Sequence, residues 1–118
     1  MAFDTERFDN DAMHDVSTNN SRITFKTAGK YLVIGNIEWA DTPVTSYRSM
    51  RVRLNGATDI AHSGDSVVTG ANSEFNNVAT IYDFSADDYI ELGVIAGETV
   101  VLKKTNQWSP EFMAIRLS

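Results

Sequence analysis

The stretch FKTAGKYLVIGNIEWA, residues 25–40, limits the possible folds more than any other part of the chain. Tyr31, Val33, Gly35, Ile37 and Trp39 share one parity; Leu32, Ile34, Asn36 and Glu38 share the other. An amphipathic helix needs apolar positions three and four apart and a polar back face. After Thr27, Lys30 is the only charge before Glu38, so that back face is missing. β-Branched and aromatic residues suit extended chain, and Gly35 weakens a helix interior. The stretch therefore reads as a hairpin: a strand over residues 23–26, a turn over 27–29, and a long strand over 30–39. That strand begins apolar on both sides and ends mixed.

The same period of two recurs downstream. In YRSMRVRLNG, Met50, Val52 and Leu54 point one way, and Ser49, Arg51 and Arg53 the other. Asn55-Gly56 then closes the strand with the strongest short-range hairpin signal, and ATDIAHS is the return strand. FNNVATIYDF and YIELGVIA read as strands joined at SADD, TVVLKK as another, and EFMAIRLS as the last. Asn19-Asn20-Ser21 is turn chemistry, and Pro43 excludes a central strand at residues 41–47. Many short strands with frequent turns and no helical pattern predict an all-β sandwich or barrel.

At 118 residues the chain is one domain, residues 1–118, and 42% apolar content suffices for a small core. It has no cysteine, so a disulfide framework and a thiolate metal site are excluded. The net charge of -6 argues against binding a nucleic-acid backbone or an anionic membrane. No run is long and apolar enough to insert in a bilayer. The opening MAFDTERFDND shows no basic or apolar region of a signal peptide.

The order of these features carries a resemblance. Phe25-x-x-x-Gly29-x-Tyr31 opens a core strand, Leu54-Asn55-Gly56 follows, then IYDFSADDYIELGV and a terminal EFMAIRL. This is similar to the globular head of complement component 1q, a jelly roll shared with the tumour necrosis factor superfamily. The FDTERFD stretch followed by MH and by Asn19-x-Ser21-Arg22 resembles versions carried by bacteriophages and bacteria. Two departures stand out. Asp87 occupies the glycine position of the family's Gly-Asp turn, and only Met1-Ala2 precede Phe3, where the family carries a first strand. That strand is then missing, truncated or supplied by a neighbour.

The resemblance implies a jelly-roll β-sandwich of two antiparallel sheets, assembled as a compact homotrimer. It also implies a non-enzymatic virion or surface-fibre module for adhesion, receptor binding or particle decoration. Its partners would be other virion or fibre proteins and a host-surface glycan or protein, and its place a virion or an extracellular surface. The alternative is a purely structural trimerisation or capsid-stabilising protein with no receptor. Strands apolar on both faces fit a trimer, which nominates Tyr31, Val33, Ile37, Ile90 and Leu92 for the interface. Otherwise those residues are buried between the two sheets of one chain.

The remaining candidates come from the residues. Arg48, Arg51 and Arg53 form a basic cluster suited to salt bridges or to an acidic glycan or carboxylate. Tyr47 and Trp108 stand in or beside loops rich in hydroxyls and amides, which suits sugar stacking or protein contact. Display loops are expected over residues 41–47, 62–74 and 105–110. His14 lies among Asp9, Asp11 and Asp15 without metal-ligand spacing, which reads as a solvated acidic loop. Some relatives bind calcium near the trimer apex, but no motif carries it over, so no metal ligand and no cofactor is assigned. His62 reads as a strand-end or loop residue, and Asp87-Asp88 as a turn. No catalytic residue is nominated.

Overall fold

The computed structural model describes residues 12–15, 17–39, 47–65, 74–96 and 110–118. These residues form seven strands: β1 (Arg22–Thr24), β2 (Gly29–Trp39), β3 (Arg48–Leu54), β4 (Thr58–Asp65), β5 (Glu74–Phe84), β6 (Tyr89–Ala96) and β7 (Glu111–Arg116). Among the described residues there is no helix. The TVVLKK strand, the opening residues and most of each expected display loop lie outside the described residues.

The strands make two antiparallel sheets, ordered β1-β6-β3-β4 and β5-β2-β7. Among the described strands, only β3 and β4 are sequence neighbours paired in one sheet. Asn55 (φ 52°) and Gly56 (φ 71°) supply the left-handed backbone of that hairpin turn. Everywhere else consecutive described strands change sheets. This corrects the hairpin expected over residues 23–39: β1 pairs with β6, whereas β2 lies between β5 and β7.

The turn cues at residues 25–29 mark an arch between the sheets. Phe25 sits in that arch, fully buried. Its ring stacks on Phe84 at 3.9 Å and meets Tyr31 edge-on at 4.6 Å. The Phe25 amide donates to the Asp88 carbonyl (2.8 Å), and the Asp87 amide donates to the Phe25 carbonyl (2.8 Å). Two arches are thereby clamped side by side, with Asp87 at φ 72° completing the second.

The core lies between the sheets and follows the parity read from the sequence. Tyr31, Val33, Ile37 and Trp39 meet Met50, Val52, Ile90 and Leu92, with Phe84 and Val78 from β5. Gly35 sits at a close approach of the two sheets, because a Cβ there would come within 2.7 Å of Leu92 Cδ1. The buried Trp39 indole donates to Asn76 Oδ1 at 2.6 Å, which satisfies both polar groups inside the core.

Candidate functional site

The basic cluster divides along β3. Arg51 and Arg53 point outward, but Arg48 shares the parity of Met50 and Val52 and is fully buried. Its guanidinium lies over the Trp39 ring, 5.3 Å from the centroid. Arg48 is therefore part of the interior, a correction to its place among surface ligand-binding candidates. Strand periodicity explains the split, since adjacent residues face opposite layers.

Arg51 and Arg53 share one carboxylate. Arg51 Nη1 is 3.5 Å from Asp59 Oδ2, and Arg53 Nε is 3.7 Å from Asp59 Oδ1. Arg53 Nη2 also donates to the Ala57 carbonyl at 3.4 Å. The register sets Arg22, Glu91, Arg53 and Asp59 in one row across the sheet, so charge alternates from strand to strand. His62 lies within β4, exposed and opposite Arg51, rather than at a strand end. Tyr47 is exposed at the mouth of β3, and Trp108 lies outside the described residues.

The acidic candidates serve turns. Asp15 Oδ1 accepts from the Ser17 amide (2.8 Å), the Ser17 hydroxyl (2.9 Å) and the Thr18 amide (3.0 Å). The two backbone donors, Ser17 foremost, hold its carboxyl below the usual range. His14 Nε2 faces the Asn20 carbonyl at 3.0 Å. Asp88 accepts from the Ser85 amide (2.9 Å) and from Asn55 Nδ2 (3.0 Å). Asn55 in turn accepts from the Tyr89 amide at 2.9 Å, fastening the β3–β4 turn to the β5–β6 arch. Among the described residues no group of three or more His, Asp or Glu side chains could hold a metal ion.

The residues nominated for a subunit interface face inward. Tyr31, Val33, Ile37, Ile90 and Leu92 are each at most 1% exposed within a single chain. They have no surface left for a neighbour, and the two-sheet alternative describes them. The opposite parity of β2 is the surface that sequence reading missed. Leu32 stands between Ile81 and Ile115, and Ile34 between Ala79 and Met113. These two apolar rows form the middle of the outer face of β5-β2-β7. The next row is polar, Asn77, Asn36 and Glu111, with Asn36 Nδ2 donating to Glu111 at 3.3 Å. Ile81 is 60% exposed and Ile115 46%; Phe75, beyond the polar row, is 61% exposed. The signal was present in the sequence: Leu32 and Ile34 are apolar on the face that the core does not use.

No family model matches the sequence, and no curated protein sequence matches it. Solved structures do match. The globular domain of zebrafish complement 1qA protein superposes with a TM-score of 0.64 at 12% identity, over 96% of this chain and 77% of that one. The fold is that of a complement 1q globular head. In this head the four-stranded sheet turns a charged face outward and the three-stranded sheet an apolar one. At 12% identity the likeness carries the architecture and no individual binding residue.

Proposed function

We propose that this chain is a non-enzymatic recognition module that works as a homotrimer, displayed on a virion or an extracellular surface for adhesion or receptor binding. The observation that carries the reading is the outer face of β5-β2-β7. Its two apolar rows, Ile81-Leu32-Ile115 and Ala79-Ile34-Met113, are bordered by a polar row. An apolar centre with a polar rim is the anatomy of a protein–protein interface. Contiguous apolar surface of this kind on a small soluble domain marks an association site. The core is already closed on the other side of the same sheet, so this face is surplus to folding.

The likeness to a complement 1q head supports a ring of three chains about a common axis. The FDTERFD opening supports the virion setting. Threefold display would convert weak single contacts at Tyr47, Arg51, Arg53 and the adjoining loops into avidity. Light scattering at several dilutions tests the assembly. The expected mass is three times the 13.1 kDa of one chain. A single-chain mass at all dilutions would overturn the reading. For a trimer, a glycan and host-surface screen then tests recognition.

A further inference from the structure

We propose that the hollow beside β1 binds a small sugar acid, a polyol carrying one carboxylate. The hollow measures about 320 Å³ and is half enclosed. That places it at the small end of ligand pockets, which span about 300–1,000 Å³. One wall is β1 and its continuation, where alternation brings Arg22, Thr24 and Lys26 to the same side while Ile23 enters the core. The other wall is the segment before β1, with Asp15, Thr18 and Asn19. Backbone bonds hold the walls together: Arg22 N donates to the Asn19 carbonyl (3.0 Å) and Thr24 N to the Met13 carbonyl (2.7 Å).

Polarity is separated across the hollow. Both cations stand on the β1 wall and the one carboxylate stands opposite, with Oδ1 engaged by its own turn. Among the described residues, no carboxylate pairs with Arg22 or Lys26. This sets them apart from Arg51 and Arg53, which Asp59 already occupies. Arg22 is also held in place, since its guanidinium lies 4.0 Å from the centroid of the Tyr89 ring. A guanidinium lying over a ring keeps the N–H groups at its edge directed outward, and that fork matches a carboxylate. Thr18, Thr24 and Asn19 supply hydroxyl and amide groups for sugar hydroxyls. On a chain of net charge -6, two cations in one hollow with no carboxylate partner among the described residues form a local exception.

The inference does not rest on the trimer reading, because the hollow is built from one chain and lies away from the β5-β2-β7 outer face. The test is a titration of the isotope-labelled full chain followed by amide resonances, with glucuronate, glucose and inorganic phosphate as separate probes. Saturable shifts in residues 12–26 with glucuronate, and none with glucose, are expected. Arg22→Ala should weaken glucuronate binding about tenfold or more. Lys26 is exposed, so Lys26→Ala should weaken it without disturbing the fold. Absence of saturable shifts overturns the site, as does undiminished binding by folded Arg22→Ala together with Lys26→Ala. Equal binding of glucose overturns the role of the cations. Equal binding of phosphate overturns the sugar-acid assignment.

Discussion

The outer faces of the two sheets share one period-two backbone pattern and use opposite chemistry. On β1-β6-β3-β4, Arg22, Glu91, Arg53 and Asp59 alternate in sign across four strands. On β5-β2-β7 the corresponding rows are Ile81-Leu32-Ile115 and Ala79-Ile34-Met113. Both sheets bury their inner faces in the same core, so core formation cannot explain the difference. A charged row is stable against water, whereas an apolar row in water carries a standing free-energy cost of roughly 25 cal/mol per Å² exposed. That cost is offset when another surface covers the row, and this is why we assign the apolar face to neighbouring chains.

The sharpest way to break this comparison uses two adjacent residues of β2. Val33 is fully buried in the core, and Ile34 is on the outer face. Val33→Asp would put an unpaired charge between the sheets, a loss of about 3–5 kcal/mol. For a domain of this size that is a large share of total stability. Near-ultraviolet circular dichroism should show the tertiary signal lost or its melting point sharply lowered. A folded, unshifted Val33→Asp would mean the faces have been assigned the wrong way round.

Ile34→Glu is the complementary change and should act on assembly. The chain should keep its tertiary signal, and its mass by light scattering should fall from three chains to one. A carboxylate in the middle of an apolar interface is desolvated without a partner, which opposes association without touching the core. A variant that stays trimeric would remove this face from the interface. The charged face should respond far less. Asp59→Ala leaves Arg51 and Arg53 without their shared carboxylate, yet all three are partly exposed. The expected loss is under about 1 kcal/mol, and salt should shrink it further. A larger shift in urea unfolding would show that the ladder supports the fold rather than only tolerating water.

Much of this comparison was legible in the sequence, and the parts that were not share one cause. Alternation locates β2 and β3, and Asn55-Gly56 locates the hairpin between β3 and β4. Parity also separated Arg51 and Arg53 from Met50 and Val52. Period-two patterning does not reveal which layer covers each face. Apolar residues on both faces of β2 and of β6 nominate Tyr31, Val33, Ile37, Ile90 and Leu92 for a neighbouring chain as readily as for the interior. Only the sheet-to-sheet pairing shows that these five fill the interior and that Leu32 and Ile34 remain outside. The arch at Phe25 reads as a hairpin in the sequence for the same reason: glycine and turn residues announce a change of direction, but not whether the chain stays in its sheet. Composition groups Arg48 with Arg51, although its parity places it with Met50. That Arg22 has no carboxylate partner among the described residues is not legible in the sequence: Glu91 stands opposite it in the register, but a Glu91 carboxylate oxygen accepts from the Ser21 hydroxyl at 2.7 Å.

The smallest expected effect concerns the turn that builds one wall of the hollow beside β1. Asp15 is exposed, and its carboxyl is held low chiefly by the Ser17 amide, then by the Thr18 amide. The sign follows from linkage. A carboxylate whose folded pKa is depressed contributes stability above its unfolded value, near about 3.9, and loses that contribution as pH falls through the folded value. The turn should therefore hold throughout the neutral range and loosen only in acid below the ordinary aspartate range. The Ser17 and Thr18 amide resonances should titrate together there, and Asp15→Asn should abolish that step while leaving the melting point nearly unchanged. A midpoint at or above the ordinary aspartate value would mean that the carboxylate does not cap the turn. The wall opposite Arg22 would then lack its fixed shape, and the hollow its separation of charge.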